Sequence, residues 1–263
     1  MADGGRKKLT ARGFRAMKGE GRSILALSVY DAPTAGFAEA SGVDLLLVGD
    51  SLGMAVLGYE STIPVTVEES LHHCGAVRRG APNTFVVGDM PFMTYQISPA
   101  DAMRNAARYL QEVGCDAVKV EGGADMAETI SRMVGAGIPV LGHVGLLPQK
   151  VLTSGGYRRA GTTDEDAARV LDDAKAVEAA GAFAVVLEGI PSDLAARITA
   201  ALDIPTIGIG AGPDCDGQIQ VVSDILGLLS FTPKHAKRYI DLDALIKDAF
   251  SRYFDDVRSK RFP

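Results

Sequence analysis

The stretch Ala117–Gly123, AVKVEGG, decides how the fold is read. As a strand it places Lys119 and Glu121, two residues apart, on one face and Val118 and Val120 on the other. Valines on the outer face suit a cover of helices, while charges near the carboxyl end of a strand suit the open rim of a parallel barrel. Working outward, short apolar runs recur on both sides. The expected strands are Ile24–Val29, Asp44–Val48, Thr84–Gly88, Ala117–Val120, Pro139–Gly142, Phe183–Leu187, Pro205–Ile209 and Ile225–Leu229. They lack strict alternation, as parallel strands buried under helices do.

Helix signals fill the intervals. Ser98-Pro99 supplies an N-cap and a first-turn proline, and Gly114 marks the stop. Thr66 and Glu69 have capping-box spacing. Asp164 to Ala180 is a long amphipathic segment, and Leu242, Leu245, Ile246 and Phe250 mark a terminal helix. Eight such units in 263 residues predict one (β/α)₈ TIM barrel, residues 1–263, with a basic helical segment at 1–22 and an extra C-terminal helix at 241–263. A doubly wound open sheet is the alternative, and the regularity of the units favours closure.

Composition narrows the function. With 27 Lys+Arg against 33 Asp+Glu the net charge is -6, which argues against a general nucleic-acid binder. The longest stretch without formal charge, Met133–Gln149, holds four glycines and two prolines and is no membrane span. Cys74, Cys115 and Cys215 form no CxxC pair, so neither a disulfide framework nor a zinc site is expected. An apolar strand directly follows the basic stretch Arg6–Arg22, so a cytoplasmic protein is expected rather than one with a targeting peptide.

Polar residues collect where the strands end. Asp50 and Ser51 follow strand two, Asp89 follows strand three, Lys119 and Glu121 end strand four, His143 closes strand five and Glu188 closes strand six. Asp50, Asp89 and Glu121 offer hard oxygen ligands suited to Mg²⁺; singly, such acids also cap helices or pair with Lys119. Glu188, on another strand, could serve as a free base. A chelated 2-keto acid beside a carboxylate base is the arrangement that makes an enolate. Gly208–Gly212, GIGAG, suits either an anion or close backbone packing, and it lacks the GxGxxG spacing of a dinucleotide site. His72, His73 and His235 are read as packed or solvated. The long loop 144–162 is expected to be a mobile lid or a contact between subunits.

The strings YDAPTA (Tyr30–Ala35), LLVGDSLGMAVLGYESTIPVT (Leu46–Thr66) and AVRRGAPN (Ala76–Asn83) are followed in order by GDMPFMTY, VKVEGG, GHVGLLPQ, GGYRRAG, LEGIP, IPTIGIGAG and CDGQ. Together they resemble the ketopantoate hydroxymethyltransferase family over nearly the whole chain. The resemblance implies a (β/α)₈ barrel assembled as a homodecamer in pantothenate biosynthesis, using 5,10-methylenetetrahydrofolate to hydroxymethylate 3-methyl-2-oxobutanoate. It also implies that Asp50, Asp89 and Glu121 match the Mg²⁺ site. Asp50, Ser51, Asp89 and Lys119 match residues holding the keto acid, His143 falls near it, and Glu188 matches the proton acceptor. The chain departs from the family pattern at Leu147, Ala160 and Thr162. The competing expectations are a Mg²⁺-dependent 2-keto-acid lyase or mutase of the phosphoenolpyruvate mutase/isocitrate lyase kind, whose KKCGH-type loop this chain lacks, and a non-catalytic barrel that binds a small acid.

Overall fold

The strands form where β-branched and aliphatic residues run between turn-forming glycines and aspartates. The computed structural model describes residues 8–229, 231 and 233–263, so residues 1–7 of the expected basic segment lie outside the described residues. Eight parallel strands close in sequence order into a barrel: β1 Ile24–Ser28, β2 Leu45–Val48, β3 Phe85–Asp89, β4 Ala117–Glu121, β5 Val140–Gly145, β6 Ala184–Glu188, β7 Thr206–Ile209 and β8 Gly217–Val221. The (β/α)₈ expectation holds. By compactness the chain divides into residues 1–219 and 220–263. Among the described residues no helix is long and apolar enough to cross a membrane.

One expected strand is corrected. Ile225–Leu229 is not the eighth strand; its first residues belong to helix Val222–Leu226, which stops where Gly227 takes the left-handed conformation at φ +62°. The eighth strand is Gly217–Val221, GQIQV, which pairs with β7 through Ile207↔Gly217 and Gly208↔Gln218. Its alternating glutamines hide it from a search for continuous apolar runs.

The helix starts follow their caps. Thr66 and Glu69 make the reciprocal capping box at the head of helix Val67–Gly80, and Ser98 caps helix Pro99–Gln111. The latter helix and its neighbours cover the outer faces of the strands. The inner faces carry Ile24, Leu45, Leu47, Phe85, Val87, Ala117, Leu141, Ala184, Val186, Ile207 and Ile219, which form one buried core.

The N-terminal helix Ala11–Gly19 completes that core from the amino ends of the strands. Phe14 and Met17 are buried in it, and the Phe14 ring lies 5.1 Å from Phe85 and 5.7 Å from Phe183. The basic residues around this plug are matched by aspartates that immediately precede strands. Lys8 pairs with Asp116 at 2.7 Å, Lys18 with Asp216 at 3.0 Å and Arg22 with Asp44 at 2.9 Å. Each aspartate also accepts a backbone N–H of the preceding strand region, from Leu25, Val86 or Thr206. Three cations of this segment are therefore engaged at the amino ends of the strands.

In the C-terminal unit, helix Leu242–Arg258 has no buried residue, and Leu245, Phe250, Tyr253 and Phe254 are exposed.

Removing the plug's ring should be costly. Phe14→Ala is expected to destabilise the protein by about 3–5 kcal/mol, the range for truncating a buried Phe. Urea unfolding checks it, and a loss below about 1 kcal/mol would show that the helix is not part of the core.

Candidate active site

Inward-facing positions change character along each strand. In β3 the series is Phe85, Val87, Asp89; in β4 it is Ala117, Lys119, Glu121; in β5 it is Leu141, His143; in β6 it is Ala184, Val186, Glu188. The period of two keeps all of these on the barrel's inner face, so the apolar core gives way to a charged layer at the carboxyl ends. The register adds cross-strand pairs, Asp89↔Lys119 and Glu121↔His143.

Lys119 stands at the centre of this layer. Its Nζ is 2.9 Å from Asp89 Oδ1, 3.7 Å from Glu121 Oε1 and 3.3 Å from His143 Nδ1. Asp89 Oδ2 accepts the backbone N–H of Asp50 at 2.9 Å, bringing the ends of β2 and β3 together. Gly49 makes room for this: a Cβ there would stand 2.8 Å from Ser51 Oγ and 3.1 Å from Ser28 Oγ. Asp50, Asp89, Lys119, Glu121 and His143 are all buried. Glu188 is set apart, its side chain 22% exposed, and its Oε2 lies 3.2 Å from His143 Nε2. His143 thus stands between the buried cluster and the more open carboxylate.

Protonation follows from these contacts. Burial, reinforced by the charges of Asp89 and Glu121, pushes the Asp50 carboxyl well above the usual carboxylate range. Burial also raises Asp89, against the opposing pull of Lys119. For Glu121, Lys119 and His143 outweigh burial and hold it below its ordinary value. Lys119 is raised despite its burial because Asp89, Glu121 and Asp50 surround it. Burial and Lys119 oppose a proton on His143, yet Glu121 and Glu188 prevail and push it up to about 9.

The site has oxygens to spare. Asp89 Oδ1 and Glu121 Oε1 are buried without an aligned hydrogen-bond donor, although both face Lys119. No group of three or more His, Cys, Asp or Glu side chains among the described residues is spaced to hold a metal ion. A hard cation that takes one or two carboxylates and keeps its waters fits this donor set; a cation needing a closed protein cage does not.

Ser51, half-buried next to Asp50, has its Oγ 2.8 Å from Tyr30 Oη. Two residues with no assigned role in the sequence reading join the site. Gln149 is buried among Asp50, Glu121 and Tyr95, and its one signal in sequence was its place in GHVGLLPQ. Tyr157 brings the loop 144–162 to Met54, with 3.4 Å between its Oη and the sulfur. Burial, then the charges of Asp50, Glu188 and Glu121, raise the Tyr157 hydroxyl. A cleft of about 510 Å³ opens beside this loop, lined by Asp125, Gly145, Lys150, Tyr157, Arg158 and Arg159 among others, but not by the Asp50–Asp89 pair. At Ala160 the loop is held by its backbone N–H, donated to Gly189 O at 3.1 Å, a bond that needs no particular side chain. Gly212 of GIGAG, at φ +85°, packs where a Cβ would lie 2.4 Å from that of Ser192, the close approach expected of one reading. His73 is packed, its Nδ1 2.7 Å from Tyr30 O.

Removing the lysine should unbalance the acids. Lys119→Met is expected to destabilise the protein by about 3–5 kcal/mol near neutral pH, as for a buried ion pair losing one partner. The sign with pH follows from linkage. Asp50 and Asp89 already titrate above their unfolded values; losing Lys119 raises them further and removes much of what holds Glu121 below its own. The stability they remove therefore grows as pH rises and returns as pH falls. Urea titrations at about pH 5 and about pH 8 should show the smaller loss at the lower pH; equal losses would contradict the coupling.

Comparison with known proteins identifies the family. Residues 8–263 match the model of the family described as Ketopantoate hydroxymethyltransferase. The 3-methyl-2-oxobutanoate hydroxymethyltransferase of Carboxydothermus hydrogenoformans is 52% identical over 257 residues, covering 97% of this chain and 93% of its own length. That of Syntrophus aciditrophicus is 53% identical over 258 residues, covering 98% and 95%. Among solved structures, a phosphonopyruvate hydrolase complexed with oxalate and Mg²⁺ superposes with TM-score 0.65 at 14% identity, covering 94% of this chain and 88% of that one. A 2,3-dimethylmalate lyase of the phosphoenolpyruvate mutase/isocitrate lyase superfamily gives 0.64 at 20%, covering 94% and 89%. At such identities the likeness is one of fold. The chain belongs to the ketopantoate hydroxymethyltransferase family.

Proposed function

We infer that the charged rim of the barrel carries out the reaction for which the family is named, transfer of a hydroxymethyl group to 3-methyl-2-oxobutanoate to give 2-dehydropantoate. The observation that carries the division of labour is the split among the acids. Asp50, Asp89 and Glu121 are buried around Lys119, whereas Glu188 is partly exposed and meets that cluster through His143.

Asp50, Asp89 and Glu121 would hold Mg²⁺, Glu121 Oε1 and Asp89 Oδ1 being the buried oxygens left without an aligned hydrogen-bond donor. When bound, the ion would supply Lewis-acid charge that polarises a 2-keto acid. Lys119, fixed by Asp89 and Glu121, meets the negative charge that develops on the keto oxygen. Ser51, held by Tyr30, offers a hydroxyl at the edge of the keto-acid site. Glu188 accepts the proton from the branched carbon, and His143, raised to about 9, holds that carboxylate in place by charge. The enolate carbon then forms a bond to the one-carbon unit of 5,10-methylenetetrahydrofolate and water supplies the hydroxyl oxygen, while that carbon's bonds to the two folate nitrogens break and tetrahydrofolate leaves, its nitrogens taking the proton held by Glu188 and one from water. Tyr157, reaching across to Met54, narrows the mouth over which this happens. The folate as one-carbon donor rests on the family's reaction.

We further propose a cytoplasmic homo-oligomer, a decamer by family resemblance, supported by the exposed apolar face of helix Leu242–Arg258. Light scattering should give a mass several times 27.6 kDa, and a monomer at assay concentration would defeat this.

Glu188→Gln tests the assignment of the base. The variant keeps size and hydrogen bonding but loses the proton acceptor, so turnover should fall roughly 10²–10⁴-fold. Exchange of the branched-carbon proton for deuterium should fall in parallel, while Mg²⁺ and the keto acid still bind. Wild-type exchange in the variant, followed by NMR, would remove Glu188 from the role.

A further inference from the structure

Gln149 is a buried glutamine whose side-chain amide is used in full. Its Nε2 donates to Asp50 Oδ2 at 2.9 Å and to Met90 O at 3.0 Å. Its Oε1 accepts from the Tyr95 hydroxyl at 2.7 Å and from Gln96 Nε2 at 3.0 Å. Two N–H donors meet two acceptors on one side and the two lone pairs of Oε1 meet two donors on the other, so the amide has one orientation. Its backbone N–H donates to Glu121 Oε2 at 3.1 Å. From the segment after β5, this residue thus touches the segments after β2 and β3 and the last residue of β4.

We propose that Gln149 is a positioning residue that fixes the Asp50 carboxylate for a divalent cation and, through it, for the keto acid. This rests on the reading that Asp50 and Asp89 hold Mg²⁺. No other side chain among the described residues donates a hydrogen bond to the Asp50 carboxylate, so the amide is the one side-chain donor that sets its terminal torsion. Asp89 and Glu121 repel that carboxylate, and something must hold it against them. A lysine or arginine could do so only by neutralising the charge that a cation needs. A neutral N–H orients the oxygen and leaves the charge available. Tyr95 fixes the amide in turn, and its own hydroxyl accepts the backbone N–H of Glu121 at 3.0 Å. The turn itself has other anchors: the Lys150 N–H donates to Leu147 O at 2.9 Å, and Lys150 pairs with Asp125.

The test is a double-mutant cycle on the full-length protein, read as Mg²⁺ affinity by calorimetry with and without 3-methyl-2-oxobutanoate. Gln149→Met keeps the unbranched shape and removes the amide. It should weaken Mg²⁺ binding about 10–100-fold, the scale seen when a partner that orients a metal ligand is lost. Asp50→Asn should weaken it as well, and adding Gln149→Met to Asp50→Asn should then change little, because the amide acts through that carboxylate. A merely structural glutamine would instead add its loss in full, and multiplying losses overturn the proposal. So does unchanged affinity in Gln149→Met when Asp50→Asn is impaired. Unchanged affinity in Asp50→Asn itself would sink the metal reading, a different failure that removes the proposal's basis. Kinetics supply a second axis: Gln149→Met should raise KM for the keto acid more than it lowers kcat, the reverse of Glu188→Gln. Should Gln149→Met fail to fold, Tyr95→Phe removes the hydrogen bond that orients the amide while keeping the ring. It should weaken Mg²⁺ binding in the same direction by a smaller factor, and wild-type affinity there overturns the proposal.

Discussion

The contact between Lys119 and Asp89 governs the upper half of the barrel. A lysine buried this deeply cannot stay charged without acids around it, and acids packed this closely cannot stay charged without the lysine. Each makes the burial of the other tolerable, and the surplus falls to the acids: Asp50, Asp89 and Glu121 against one ammonium and a histidine that shares itself with Glu188. That imbalance gives the site its character. It leaves negative charge in a place screened from water, which a cation and a 2-keto acid can together neutralise.

Strand geometry makes such a cluster possible from residues far apart in sequence. Inward positions recur every second residue, and the stagger between parallel neighbours sets Asp89 beside Lys119 and Glu121 beside His143. The same rows that present Phe85 and Ala117 to the core present Asp89 and Lys119 to the mouth. Core and site are therefore one ladder. A shift of one residue in β4 would turn Lys119 and Glu121 outward under the helices and bring valines into the mouth.

Much of this was legible in the sequence. Strand-end acids, the paired charges of VKVEGG and the capping signals all reported local rules, and local rules are what a sequence displays. β8 escaped because its glutamines break the apolar run, while the tempting Ile225–Leu229 is interrupted by a glycine that ends a helix. The plugging role of Phe14 and Met17 escaped because the segment stood out only as basic and helical, and only the fold reveals the aspartates that meet its lysines and arginines. Gln149 was visible only as one letter in a string. Its importance depends on partners 28, 54 and 99 positions away, a separation that no spacing rule reaches.

The plug helix has a consequence for the order in which the chain can assemble. Helix Ala11–Gly19 is synthesised before every strand of the barrel, yet its Phe14 rests on Phe85 and Phe183, and Lys18 reaches Asp216. Its binding surface does not exist until most of the barrel has been synthesised and has come together. During that interval the amphipathic segment must wait, carrying an unburied Phe and Met among positive charges that keep it soluble. A helix made before the strands is among the last elements to find its place, and its docking ties it to strands completed much later.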